Sequence, residues 1–155
     1  MVRKIDHIGM AVRSLSEARR FYEEVLGLAC DKVEEVPSQK VRVAFFTVGE
    51  VRIELLEATA DDSPIAKFIE TRGEGIHHLA YQVEDIHGEL AHMQGQGCRL
   101  INQTPIPGAG GKEIAFLHPK GTFGVLTELV ASGQTLPDGL QTDAATEEAN
   151  HASRS

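Results

Sequence analysis

The hydrophobic and polar positions of this 155-residue chain change period in a fixed order. "DHIGMAV" alternates and predicts a strand, after which Leu15, Ala18, Phe21, Tyr22, Val25 and Leu26 fall at helical spacing. Ser14 with Glu17 three residues on forms a capping box, and Gly27 supplies the stop. Alternating runs bounded by turn residues follow at Leu28 to Val36, Val41 to Val48 and Val51 to Glu57, predicting three strands. The stretch "DDSPIAKFIETRGEG" predicts a short linking helix, with Ser63 as N-cap and Pro64 at the first helical position.

The order then repeats. "HHLAYQV" predicts a strand, and a helix beginning near Asp85 carries Ile86, Leu90 and Met93 to a stop at Gly97, weakened by Gly88 and Gly95 inside it. Three strands are predicted at Arg99 to Gln103, Glu113 to Leu117 and Val125 to Val130. An offset of 71 residues lays His7 on His78, Val12 on Val83, Leu15 on Ile86 and "VAFF" on "IAFL". At an offset of 74, Glu54 lies on Glu128. The reading is an α+β chain of paired βαβββ modules: residues 1–58, a linking helix over 59–75, and residues 76–131. The polar segment 132–155 has no apolar periodicity and is expected to be a disordered tail.

Successive strand side chains face opposite sides, so parity selects the neighbours of the repeated polar residues. Ile8, Met10 and Val12 share a packing face, which leaves His7 with Ile5, Gly9 and Ala11 on the open one. In the second copy His78 takes the open face with Ala80 and Gln82, whereas His77 falls with Leu79, Tyr81 and Val83 on the packing face. Glu54 and Glu128 likewise oppose apolar neighbours. A single histidine or glutamate on a half-buried strand is usually structural. Two of each at repeat-equivalent positions, related by a pseudo-twofold axis, predict a metal site of two nitrogens and two oxygens at His7, Glu54, His78 and Glu128. His87, His92, His118 and His151 lack repeat partners and are expected on surfaces or loops, with His118 at a hairpin near the site.

Composition narrows the partners. A net charge of −8 opposes binding to nucleic acid or anionic membranes, and 41% apolar residues suffice for a core. Cys30 and Cys98, the only cysteines, have no metal-ribbon spacing and are expected to be ordinary thiols in a reducing compartment. Polar residues interrupt the N-terminal stretch, and no run approaches a membrane span, so a soluble cytoplasmic protein is expected.

The motifs "DHIGMAV", "VRIELLEATADDSPIAKFIE", "GIHHLAYQV" and "GGKEIAFLHPKGTFGVLTELV" resemble methylmalonyl-CoA epimerases of the vicinal oxygen chelate superfamily, over residues 4–131. The resemblance implies a cup-shaped mixed β-sheet around one divalent ion, often cobalt, a homodimer, an acyl-CoA substrate, and interconversion of methylmalonyl-CoA epimers. It carries the ligand roles to His7, Glu54, His78 and Glu128, and a proton-transfer role to Glu128. The donor set also suits manganese, nickel, zinc or iron. Some relatives have a second catalytic glutamate where this chain has Val43, which cannot transfer a proton. Lys112, on the matching strand of the second module, is a candidate to contact the thioester or the enolate, and the "GAGG" loop beside it a candidate to shape the substrate site. Two further readings keep the cup: a glyoxalase-type lyase or extradiol dioxygenase, or a non-enzymatic protein that sequesters a small molecule.

Overall fold

The computed structural model describes residues 1–133. Strand β1 (Val2–Ala11) leads to helix α1 (Leu15–Arg20), which continues through a wider π-helical turn over Phe21–Val25. The Ser14 hydroxyl accepts from Glu17 N–H at 3.2 Å, the serine half of the expected capping box. A second orphan donor, Leu15 N–H, is taken by Glu57 Oε2 at 2.5 Å. Strands β2 (Cys30–Val36), β3 (Val41–Val48) and β4 (Val51–Ala58) complete the first module. Helix α2 (Pro64–Arg72) starts at the Ser63 cap and connects to β5 (Gly75–Val83), and α3 (Ile86–Gly95) starts at Asp85.

The end of the second module departs from expectation. Arg99 to Gln103 do not form a strand but make one isolated bridge, Leu100 to Leu117. Ile101 and Asn102 donate to the Phe116 carbonyl, and the Asn102 side chain accepts from Phe116 N–H at 2.8 Å, so a local side chain replaces the ladder. The edge strand β6 is the two-residue Ile106–Pro107, preceded by Pro105 and ending on Pro107, neither of which has an N–H to donate. Strands β7 (Glu113–Leu117) and β8 (Leu126–Ala131) close the fold. The expected disordered tail lies outside the described residues, apart from its first two.

The eight strands among the described residues form one curled mixed sheet in the order β2-β3-β4-β1-β5-β8-β7-β6. Outward from the centre the two halves match: β1 pairs parallel with β4, β5 pairs parallel with β8, and β1 meets β5 antiparallel. This is the paired-module half-barrel that the repeat predicts. Helices α1 and α3 cover the outer face. Leu15, Ala18 and Tyr22 pack with Ala44, Phe46 and Leu55, while Ile86, Leu90 and Met93 pack with Val83, Ala115 and Leu129. Helix α2 instead covers part of the inner face, where Ile65, Phe68 and Ile69 meet Ala11, Val43, Phe45 and Leu56.

Candidate metal centre and substrate cavity

The two central strands carry matching irregularities. Ile5 pairs with Tyr81 and His7 with Ala80, leaving Asp6 as the extra residue of a bulge in β1. Gly9 pairs with His78 and Met10 with Ile76, leaving His77 as the extra residue in β5. A bulge redirects the side chain at its extra residue and so suspends strict alternation. Parity assigns His77 to the packing face, and here the structure corrects that expectation. Its ring lies against His78, with Nδ1 to Nδ1 at 3.0 Å, and against Phe68 of α2, with centroids 5.0 Å apart. His77 and His78 both line the inner cavity.

His7, Glu54, His78 and Glu128 are all buried, each at 8% exposure or less. The Nε2 atoms of His7 and His78 are 3.0 Å apart, and Glu128 Oε2 lies 2.8 Å from the first and 3.5 Å from the second. These three residues converge on one point with a metal-binding spacing. Glu54 stands beside them: its Oε2 is 3.0 Å from His7 Nδ1, on the other edge of the ring. The donor chemistry fits a divalent cation, because Glu54 Oε2 and Glu128 Oε2 are buried oxygens without a well-formed hydrogen bond. Gly9 is part of the cradle, since a Cβ there would fall 2.2 Å from His78 Cε1.

Asp6 is a member that the alternation alone did not reveal. It is 5% exposed, and its Oδ2 accepts from His7 Nδ1 at 2.8 Å and from Arg52 at 2.8 Å. A carboxylate on Nδ1 orients the His7 ring so that Nε2 faces the centre. Burial alone would raise the Asp6 pKa, but the hydrogen bonds from His7 and Arg52 hold it well below the usual carboxylate range. Burial likewise opposes charge on His7. The Asp6 hydrogen bond, the Glu128 carboxylate 2.8 Å from Nε2 and the Glu54 charge outweigh it, and its pKa rises to about 9. His78 is pushed down to about 3 by burial and then by the charge of neighbouring histidines, and burial lowers His77 to about 4. Burial raises Glu54.

A cavity of about 410 Å³ opens from this centre. Lys112, just before β7 rather than on it, lines the cavity beside Gly108 and Gly110 of the glycine-rich loop, and so does Val43. Glu34 also lines it, directly across the β2–β3 ladder from Val43, a position legible only once the register is known. His118 does not line the cavity; its Nδ1 accepts from Lys120 N–H at 3.1 Å and caps a turn.

Residues 6–116 match the family described as the glyoxalase/bleomycin resistance protein/dioxygenase superfamily. The chain is 37% identical over 131 residues to the ethylmalonyl-CoA/methylmalonyl-CoA epimerase of Cereibacter sphaeroides, covering 83% of this chain and 98% of that one. The chain belongs to the methylmalonyl-CoA epimerase family of this superfamily. An uncharacterized Bacillus subtilis protein is 48% identical over 126 residues, 81% of this chain and 90% of its own. Among solved structures, a Streptomyces coelicolor methylmalonyl-CoA epimerase variant in complex with 2-nitronate-propionyl-CoA superposes with a TM-score of 0.80 at 36% identity, covering 85% of this chain and 96% of that one. These named epimerases are isomerases, and the half-barrel here has their fold. Among the described residues no helix is long and apolar enough to cross a membrane.

Proposed function

We propose that this protein is a metal-dependent epimerase interconverting (R)- and (S)-methylmalonyl-CoA by removing and returning the C2 proton. The observation that carries the reading is the buried convergence of His7, His78 and Glu128 in the lining of a cavity, in a chain whose relatives include methylmalonyl-CoA epimerases. His7, His78 and Glu128 would hold the ion, with Glu54 as a fourth donor. The resemblance to the epimerases makes cobalt the first choice, and the donor set also accepts manganese, nickel, zinc or iron. When bound, the ion supplies Lewis-acid stabilisation to the substrate oxygens that gain negative charge.

The side chains do the rest. Epimerisation needs proton groups on opposite faces of C2: Glu128, which lines the cavity, serves one face, as base in one direction of the reaction and as acid in the reverse, while a second proton group serves the other. Lys112, which also lines the cavity, directs its ammonium to the thioester oxygen as negative charge develops there. Val43, 3% exposed and packed with Leu56 and Ile65, offers no proton. The apolar wall formed with Val41, Leu56 and Ile65 excludes water from the acidic carbon.

Loaded with Co²⁺, the enzyme should exchange the C2 proton of methylmalonyl-CoA with deuterated water. A chelator should abolish that exchange and added metal restore it; a loaded enzyme without exchange would overturn the reading. Lys112→Ala should lower kcat with little change in metal affinity. The His/His/Glu convergence also matches the donor set of a non-haem iron dioxygenase, which oxygen consumption by the Fe²⁺-loaded protein on a catechol would reveal.

A further inference from the structure

We propose that His77 is a positioning residue: it accepts the Nδ1 proton of His78 and thereby turns the Nε2 lone pair of His78 toward the metal centre, as Asp6 does for His7. The inference rests on the metal-centre reading above and assigns this chain's own residues around it.

The repeat offset that lays His7 on His78 also lays Asp6 on His77. Both are the extra residue of a bulge, and the two bulges are related by the same pseudo-twofold that relates the modules: the pair Ile5 with Tyr81 corresponds to Met10 with Ile76, and His7 with Ala80 corresponds to Gly9 with His78. Each bulge puts the preceding side chain against Nδ1 of the ligand histidine, Asp6 at 2.8 Å and His77 at 3.0 Å. Two ring nitrogens at that separation share one proton. If His78 binds through Nε2, that nitrogen has no proton, so Nδ1–H of His78 is the donor. His77 then accepts through Nδ1 and carries its own proton on Nε2. A partner of this kind fixes tautomer and ring orientation.

The surroundings keep the pair in register. Phe68 meets the His77 ring edge-on at 82°, so α2 braces His77. The missing side chain of Gly9 leaves room for the His78 ring. The two halves differ in the acceptor: His7 is held by a carboxylate that is itself tied to Arg52, and His78 by an imidazole. A second carboxylate at position 77 would add negative charge to a pocket that already holds Asp6, Glu54 and Glu128.

The test is Co²⁺ affinity of the full chain, read by titration of the metal-free protein and by the visible spectrum of the bound ion. His77→Leu, which cannot accept a proton, should weaken binding roughly 10- to 100-fold. His77→Asn, which returns an acceptor to the Nδ1 position, should bind within several-fold of the wild type. A second readout is the ¹⁵N spectrum of the wild type loaded with Zn²⁺, which should show His78 protonated on Nδ1 and His77 on Nε2; it decides the matter should His77→Leu fail to fold. Equal Co²⁺ affinity in wild type and His77→Leu, or a proton on Nδ1 of His77, overturns the inference and leaves the metal centre standing. A wild type that binds no divalent ion overturns the metal centre and this inference with it.

Discussion

Gly9 shows how one absent side chain sets the geometry of the candidate metal centre. It sits in β1 directly across from His78, and the ring occupies the space a Cβ would need. The partner atom belongs to a buried ring flanked by His7, His77 and Phe116, so the ring has little room to yield. Gly9→Ala should therefore displace His78 and reduce Co²⁺ affinity by at least tenfold while leaving the far-UV circular dichroism unchanged. Undiminished affinity would mean that the ring relaxes without leaving its ligand position.

At the scale of elements, the linking helix does more than connect modules. Helix α2 covers the inner face through Ile65, Phe68 and Ile69, and Phe68 braces His77. Its start depends on Ser63, fully buried, whose Oγ accepts from Ile65 N–H at 3.2 Å. Ser63→Ala removes that acceptor and should cost about 1 kcal/mol in urea unfolding, a typical value for a lost N-cap. A neutral outcome would show that the Pro64 turn holds the helix start unaided. The periodicity of α1, α2 and α3 was legible because caps, stops and apolar stripes coincide. The expected strand at Arg99 to Gln103 was not, because Asn102 takes Phe116 N–H with its side chain, a competition that alternation does not register.

For the whole molecule, joining the halves along β1 and β5 concentrates buried charge at the centre, and pH reports on it. The folded metal-free protein holds the proton on His7 up to about pH 9, against an ordinary value near 6.5. The sign follows from linkage: this raised pKa stabilises the metal-free fold fully below the ordinary value, and the contribution is lost as pH rises through about 9. A metal needs the neutral ring, so each ion bound near neutral pH displaces the His7 proton. Calorimetric titrations in two buffers of different ionisation heat should show about one proton released per ion. Release should fade above the His7 pKa, and binding without proton release near neutrality would contradict the assignment.

The sequence by itself determined the two βαβββ copies, the helix starts and the four repeated polar residues, because periodicity, caps and an internal repeat are local or self-referential signals. It also contained the pairing of Asp6 with His77 through the offset, but gave that pairing no meaning. Only the tertiary structure decided which way those two side chains point, because a bulge is a mismatch between two strands and has no signature within either one. The same holds for α2 on the inner face and for Glu34 opposite Val43. Parity belongs to a regular strand, and the site is built where the strands are irregular.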